Sequence, residues 1–219
     1  MDLFDIVGPI MVGPSSSHTA GAVRIGYVAS RLLDDPVKKA TFLLHGSFFA
    51  TGDGHGTRKA IVAGLLGMAP DDYQIADSFE IAREQGMEIA FGEIELEDAH
   101  PNTAVLRLKG ITSKEIEIQA SSIGGGRINI DKIVGINTNF SGDNPTLIVH
   151  NLDQPGHVAE VTSMLAHKSV NIATMQLFRS DKGQNAVMVL ECDQPIPEDG
   201  ISWLAHVEGV LRVTYFPGC

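Results

Sequence analysis

The chain has 219 residues, with 16 Lys or Arg against 27 Asp or Glu, so its formal net charge is −11. At roughly 100–200 residues per domain, this length predicts one large domain or two small ones. The acidic balance argues against nucleic acid as a partner, because nucleic-acid-binding surfaces are usually basic. No run reaches the roughly 18 apolar residues of a membrane span, and the acidic start does not resemble a signal peptide. We therefore expect a cytoplasmic protein without a nucleic-acid or membrane partner.

Two cysteines, Cys192 and Cys219, are too few for a disulfide scaffold and favour a reducing compartment. A structural zinc or an iron–sulfur cluster usually needs three or four Cys or His ligands at close spacing. The sequence has no such grouping, so we expect no metal site in this chain. Cys192 lies in a predicted strand and is expected in the core, whereas Cys219 is expected to be an exposed thiol.

Apolar periodicity predicts an α+β protein of two domains. In the first half, a helix is expected after the turn at 13–19, because Ile25, Val28, Ala29 and Leu32 recur at helical spacing. The other elements expected in this half are a strand at 40–44, a helix after the turn 51–57, a helix at 77–85, and a meander of strands at 89–96, 103–108, 114–119 and 127–134. These elements predict helices packed on a mixed sheet.

The polar, turn-rich segment 138–145 predicts a linker, which places the two domains at 1–140 and 146–219. The second domain reads as strand, helix, strand, strand, helix, strand, which is the ferredoxin-like βαββαβ plan. Its expected elements are 146–149, 158–166, 170–178, 186–192, 201–207 and 210–215, with a hairpin turn at 181–183.

Three hydroxyl residues followed by His-Thr precede the first predicted helix. Ser15, Ser16, Ser17, His18 and Thr19 would lie where the backbone N–H groups of the first turn are unpaired and the helix dipole favours an anion. Helix capping is the alternative explanation, but capping does not need so many polar residues. The pattern predicts a site for a carboxylate or a phosphate.

The turn 51–57, TGDGHGT, places His55 between glycines, which should leave its ring accessible and let the backbone approach a ligand. The turn lacks the spacing of a phosphate-binding GxxxxGK[ST] loop or of a dinucleotide-binding GxGxxG loop. A titrating histidine beside an anion pocket suits acid–base catalysis. A purely structural turn is the alternative.

Three further segments could contact a ligand or a partner. Asn102 lies in the turn AHPNTA, and the run 122–126, SIGGG, predicts either a close backbone approach or a bulged strand end. In the second domain, Pro155 and Gly156 precede a helix whose backbone N–H groups could hold a carboxylate, although a sharp turn explains them equally. We expect that any side chain at Gly156 would fill this turn.

The runs GPSSSHTAG at 13–21, HGSFFATGDGHGT at 45–57, HPNTA at 100–104 and SIGGG at 122–126, in this order, resemble the β chain of the iron–sulfur-dependent L-serine dehydratases. The run LIVHNLDQPGHVAEVTSML at 147–165 resembles the start of an ACT domain, a small regulatory module that commonly senses amino acids. Together the two resemblances cover nearly the whole chain.

This resemblance implies deamination of L-serine to pyruvate and ammonia, in amino-acid catabolism or gluconeogenesis. The family uses a 4Fe-4S cluster, one iron of which acts as a Lewis acid on the serine hydroxyl while a base removes the α-proton. In two-chain members a separate α chain supplies the cysteine ligands, which agrees with the cysteine count above. The resemblance therefore implies one half of a heterodimeric enzyme.

The resemblance also implies roles for individual residues. His55 would be the general base or a proton relay, with His18 as the second catalytic histidine. The implied substrate-binding residues are Ser15, Ser16, Ser17, Thr19 and Asn102. The implied effector-binding residues of the ACT domain are Asn151, Pro155, Gly156 and His157. An ACT domain often pairs with a second copy through its sheet edges, so self-pairing is expected.

A regulatory role is the alternative. The first domain also resembles an allosteric substrate-binding domain of some phosphoglycerate dehydrogenases, so the same serines would then form an effector site in a purely regulatory, amino-acid-binding subunit. An independent Ser–His hydrolase is not favoured, because the sequence has no GxSxG nucleophile elbow.

Overall fold

The chain forms two compact α+β units, Met1–Gly135 and Ile136–Cys219. The computed structural model describes residues 9–179 and 183–218. A strand, Ile136–Phe140, occupies the beginning of the segment for which the sequence predicts a linker. Among the described residues, no helix is both long enough and apolar enough to span a membrane.

The described residues of the first unit form four α-helices and five strands. In chain order they are α1 (Gly21–Leu33), β1 (Val37–Leu44), α2 (Gly46–Ala50), α3 (Thr57–Leu65), α4 (Ser78–Glu84), β2 (Glu88–Glu93), β3 (Thr103–Gly110), β4 (Glu115–Gly124) and β5 (Arg127–Ile133). A π-helical turn, Ser16–Ala20, leads into α1, and a 3₁₀ turn, Tyr73–Asp77, leads into α4. The sequence does not predict α2 or the π-helical turn.

The strands of the first unit form a mixed sheet in the order β2-β1-β3-β4-β5. Strand β2 is parallel to β1, whereas the other pairs are antiparallel. The meander prediction is therefore right for β3-β4-β5 and wrong for β2, because β1 lies between β2 and β3. The helices between β1 and β2 supply the crossover that a parallel pair needs. The prediction of helices on a mixed sheet is confirmed.

Helix α1 packs against α3 through small residues. A Cβ atom added to Gly26 of α1 would lie 2.1 Å from the Ile61 carbonyl oxygen, and one added to Gly64 of α3 would lie 1.9 Å from the Val23 carbonyl oxygen. The predicted apolar face of α1 is buried. This close packing holds the start of α1 next to the turn that precedes α3, and these two segments carry the serine run and His55.

The second unit is a four-stranded antiparallel sheet with two helices, preceded by the strand β6 (Ile136–Phe140). The elements that follow β6 are β7 (Thr146–Leu152), α5 (His157–His167), β8 (Ile172–Arg179), β9 (Asn185–Cys192), α6 (Glu198–Leu204) and β10 (Val210–Phe216). The sheet order is β10-β7-β9-β8. This element order is the predicted one. Within the predicted hairpin turn, Asp181 and Lys182 lie outside the described residues.

The core of the second unit includes Leu147, Leu165, Leu190 and Leu204, all fully buried. Cys192 is buried among them, as predicted, and burial raises the pKa of its thiol to about 11. A thiol of this kind is a poor nucleophile or metal ligand near neutral pH. Cys219 lies outside the described residues.

Candidate functional site

The serine run forms the π-helical turn at the start of α1. Ser15 is the N-cap: its Oγ accepts a hydrogen bond from the His18 N–H at 3.3 Å, and its carbonyl accepts one from the Thr19 N–H at 2.8 Å. The Gly21 N–H donates to the Ser16 carbonyl, which gives the turn its wider π geometry. Such π turns occur frequently at functional sites.

His18 is buried, with 7% of its surface exposed, and four hydroxyl groups surround its ring. On one side, its Nδ1 lies 3.1 Å from the Ser17 Oγ and 3.5 Å from the Ser15 Oγ. On the other side, its Nε2 lies 3.1 Å from the Thr51 Oγ1 and 3.2 Å from the Ser47 Oγ. The structure therefore joins the serine run to the segment 45–57 through a single imidazole.

The ring of His55 lies beside that of His18, with the centroids 4.9 Å apart and the planes inclined at 51°. Phe48 packs edge-on against His18 at 5.2 Å, and the Thr19 hydroxyl donates to the His55 carbonyl at 3.3 Å. His55 is only half-buried, but its Nδ1 is enclosed and has no hydrogen-bond partner among the described residues. The expectation of an open ring is therefore wrong on the Nδ1 side, which is enclosed.

Burial lowers the pKa of His18 below its ordinary value, and the neighbouring His55 lowers it further. A backbone hydrogen bond at Ser47 acts in the opposite direction but is the weaker influence. A buried imidazole favours its neutral form because desolvation penalises the charge. His18 is therefore neutral near pH 7, and a neutral ring can both donate and accept a proton.

The HPNTA turn contacts the site through its backbone. The Ser47 N–H donates to the Pro101 carbonyl at 2.8 Å. Asn102 lies instead against β4. Its side-chain Nδ2 donates to the backbone carbonyl of Ser122 at 3.5 Å, and its backbone carbonyl accepts a hydrogen bond from the Ser122 N–H at 2.9 Å. The His100 Nδ1 accepts from the Asn102 N–H at 3.1 Å. The structure thus places Asn102 next to β4 and gives its side chain no hydrogen bond to the hydroxyls around His18.

The SIGGG run brings the β4–β5 turn against the start of α1. A Cβ atom added to Gly21 would lie 2.1 Å from the Ser122 Oγ, and the Arg24 guanidinium donates to the Gly126 carbonyl at 3.3 Å. The register between β4 and β5 shifts between Ser122 and Gly124. Both alternatives left by the sequence, close backbone approach and a bulged strand end, are therefore present. All four motifs of the first unit meet around the start of α1.

Ser47, Phe48 and Thr51 are site residues that the sequence analysis did not single out. Ser47 and Thr51 are four residues apart on one helical turn, so their hydroxyls share a face. The four-residue spacing of Ser47 and Thr51 can be recognised in the sequence. Their contact with His18, 29 and 33 residues away, depends on the packing of α1 against α3 and is not visible in the sequence.

The predicted effector residues lie at the β7–α5 connection of the second unit. Asn151 is 3% exposed; its Nδ2 donates to the Leu152 carbonyl at 2.6 Å, while its Oδ1 has no partner in the described part of the chain. Gly156 has φ +109°, and a Cβ atom there would meet nothing within 4 Å. The expectation that a side chain would fill the turn is wrong. The positive φ is what favours glycine.

His157 begins α5 and is 7% exposed, whereas Pro155 is exposed. The His157 Nδ1 lies 3.3 Å from the Glu160 Oε2, and its Nε2 is enclosed without a partner among residues 9–179 and 183–218. The Nε2 also lies close to Gly209, where an added Cβ atom would approach it to 2.7 Å. The β7–α5 connection therefore holds two buried polar atoms, Asn151 Oδ1 and His157 Nε2, that have no partner among the residues the structure describes.

Comparison with known proteins identifies the family. The family described as "Serine dehydratase beta chain" matches residues 1–132. The chain is 39% identical, over 97% of its length and 96% of the relative's, to the probable L-serine dehydratase beta chain of Bacillus subtilis (strain 168). It is 37% identical, over 97% of its length and 96% of the relative's, to the L-serine dehydratase beta chain of Peptoniphilus asaccharolyticus. The chain therefore belongs to the serine dehydratase beta chain family.

A more distant likeness covers both units. The chain is 24% identical, over 88% of its length but 36% of the relative's, to a D-3-phosphoglycerate dehydrogenase of Bacillus subtilis (strain 168).

Proposed function

We propose that this chain is the β subunit of an iron–sulfur-dependent L-serine dehydratase, which converts L-serine to pyruvate and ammonia together with a cluster-bearing α chain. Family membership supports the proposal. The observation that carries it is the pair of adjacent histidines, His18 and His55, beside the hydroxyl-rich start of a helix. This arrangement offers an anion site and a proton acceptor within one cluster.

The side chains that the structure describes do not fit a 4Fe-4S cluster. In the part of the chain that the structure describes, no three or more His, Cys, Asp or Glu side chains are grouped to hold a metal ion. Cys192 is buried in a core strand with a raised thiol pKa. Iron–sulfur clusters are held by several thiolates. We therefore assign the cluster to the α chain and derive no step of this chain's chemistry through it.

The start of α1 would bind the substrate carboxylate. The first backbone N–H groups of a helix have no partners within the helix, and its dipole favours a negative charge there. Ser15, Ser16, Ser17 and Thr19 supply hydroxyl groups at the same turn. His18, which is neutral near pH 7, leaves this turn without a side-chain charge that would repel a carboxylate. Asn102, which lies at the neighbouring end of β4 with its Nδ2 3.5 Å from the Ser122 carbonyl oxygen, would contact the substrate from that side.

His55 would act as the base that removes the α-proton of serine. Its half-buried ring would meet the substrate on its accessible side, because its Nδ1 is enclosed, and the ring of His18 lies beside it. Loss of the α-proton and the hydroxyl group leaves an enamine, and tautomerisation and hydrolysis of that enamine give pyruvate and ammonia. A proton next to a carboxylate is weakly acidic, so the base must be closely positioned and desolvated.

Anaerobic co-expression with candidate α chains, followed by a pyruvate assay on L-serine, tests the proposal. We expect the purified chain alone to be inactive and the α–β complex to be active. Activity of the isolated chain would contradict the assignment of the cluster. If the chain only modulates an α chain that is already active alone, the regulatory alternative replaces the catalytic one.

For the second unit, we propose an ACT domain that binds an amino-acid effector and pairs with a second copy through its sheet edges. The βαββαβ element order and the two unpartnered atoms, Asn151 Oδ1 and His157 Nε2, support this proposal. The substitution Gly156→Val should remove the L-serine site of the second unit, and so lower the number of sites found by calorimetry, because valine rarely adopts φ +109°. Gly183→Val, at φ +79° with nothing within 4 Å, is the matched control. A number of L-serine sites unchanged from the wild type in Gly156→Val would contradict the proposal.

A further inference from the structure

The hydroxyl of Thr51 determines which nitrogen of His18 carries the proton. Thr51 Oγ1 lies 2.8 Å from the Ser47 carbonyl oxygen, which can only accept a hydrogen bond. The single proton of Thr51 is therefore used there. Thr51 Oγ1 also lies 3.1 Å from the His18 Nε2. Because its proton is already donated, Thr51 Oγ1 can only accept a hydrogen bond from that nitrogen. An unprotonated Nε2 would set two lone pairs against each other, so the proton lies on Nε2.

The other ring nitrogen then accepts a hydrogen bond. In a neutral ring with the proton on Nε2, Nδ1 has a lone pair, and the Ser17 hydroxyl, 3.1 Å away, donates to it. The Ser15 Oγ lies 3.2 Å from the Ser17 Oγ, and because Ser17 has given its single proton to Nδ1, Ser15 donates to Ser17 while its Oγ accepts the His18 N–H. The result is a directed chain from Ser15 through Ser17, His18 and Thr51 to the Ser47 carbonyl.

The Ser47 hydroxyl is compatible with this direction. Its Oγ lies 3.2 Å from the His18 Nε2 and 3.4 Å from the Thr51 Oγ1, so it accepts from the ring and donates to Thr51. His55 is the titratable group that faces His18, and its charge disfavours a second positive charge on the ring. The hydroxyl contacts and the neighbouring His55 therefore both favour a neutral His18 ring with its proton on Nε2.

We propose that Thr51 is a positioning residue that fixes His18 in the Nε2–H tautomer and thereby turns the Ser15 and Ser17 hydroxyl protons towards the ring. The assignment stands on the contacts of the ligand-free chain. Its consequence for substrate rests on the proposed carboxylate site. A carboxylate at the serine turn attracts these two protons and leaves Nδ1 without its donor, so substrate binding favours protonation of His18.

Nitrogen-15 NMR of the full chain tests the tautomer directly. The ring nitrogens of a fixed tautomer give one signal of the protonated type and one of the unprotonated type, and His18→Gln identifies which signals belong to His18. We expect the protonated signal to belong to Nε2. A proton on Nδ1 in the wild-type chain would overturn the proposal, whether or not any variant folds.

Two variants separate positioning from a general structural role. Thr51→Val removes the hydroxyl at nearly constant volume and should give averaged signals from both tautomers, whereas Thr51→Ser should keep the Nε2–H pattern. In the α–β complex we expect kcat/KM to fall about tenfold for Thr51→Val, as for one lost hydrogen bond, and to be retained by Thr51→Ser. An unchanged tautomer in Thr51→Val would overturn the proposal. An inactive wild-type complex would instead contradict the proposed function and leave the tautomer result intact.

Discussion

The imidazole rings of His18 and His55, from two separate helix-initiating turns, lie with their centroids 4.9 Å apart. A positive charge on His55 would disfavour a second one on His18, because two positive charges at this distance repel each other. Burial has the larger effect on His18 and lowers its pKa. The pair therefore combines a neutral, buried ring that is hydrogen-bonded on both sides with a half-buried ring whose Nδ1 has no partner in the described part of the chain. Under the proposed function, the more accessible ring of His55 would abstract the proton and His18 would support it.

Binding of L-serine should raise the pKa of His18. In the ligand-free chain burial and His55 keep this pKa below its ordinary value, whereas a bound carboxylate favours the protonated ring. The NMR titration of the His18 ring nitrogens should therefore move to higher pH when L-serine is added. Calorimetry on the same sample establishes that L-serine is bound. A midpoint that stays constant or falls while L-serine is bound would show that the serine turn does not hold the carboxylate.

Gly21 is required where α1 approaches β4. Gly21→Ala should destabilise the first unit by roughly 1–3 kcal/mol, the usual effect of overpacking, because the new Cβ atom would lie 2.1 Å from the Ser122 Oγ. Ser122→Gly in the same chain should recover part of that loss. Gly54→Ala, whose Cβ atom would meet its nearest neighbour at 3.7 Å, is the mild control. Equal urea-unfolding midpoints for Gly21→Ala and Gly54→Ala would contradict the packing described for α1.

His150 should make the second unit sensitive to acid. Burial, with a smaller effect from Arg212, lowers the pKa of His150 from 6.5 to about 4. Between these values the unfolded chain binds one more proton than the folded chain, so the free energy of unfolding falls as the pH falls. The slope for one proton is about 1.4 kcal/mol per pH unit.

His150→Gln should reduce this acid sensitivity. Trp203, the only tryptophan, lies on α6, so its fluorescence reports unfolding of the second unit. Urea unfolding near pH 7 and about pH 5 should show a smaller loss of stability for the variant than for the wild type. An identical loss would mean that His150 titrates near its ordinary pKa in the folded chain.

Local patterns in the sequence predict most of the helices and strands but not α2, β6 or every pairing between strands. The apolar spacing of α1 predicts its buried face, because that face follows from the helical period alone. Alternation in β2 predicts a strand but not its partner, because the side-chain period is the same in parallel and antiparallel pairs. The insertion of β1 between β2 and β3 is therefore a finding of the structure.

For the site, the sequence likewise predicts individual residues but not the contacts between distant segments. The serine run and His55 were identified from residue type and glycine context, whereas the contacts of His18 with Ser47 and Thr51 arise from the packing of α1 against α3. The expected opening around His55 was wrong on its Nδ1 side, because local glycines do not reveal which atoms the fold encloses. Long-range contacts therefore determine the environment of His18, including the burial that lowers its pKa.

The most direct test of the account is the turnover of the α–β complex carrying His55→Ala. If His55 is the base, kcat should fall by about 10²–10⁴-fold, the usual contribution of general acid–base catalysis, with α-chain binding unchanged. Asp53→Asn is the matched control, because Asp53 lies in the same turn but pairs with Arg58 at 3.3 Å on the surface. Its complex should keep nearly full activity. Undiminished turnover by an intact His55→Ala complex would contradict the claim that this chain supplies the base.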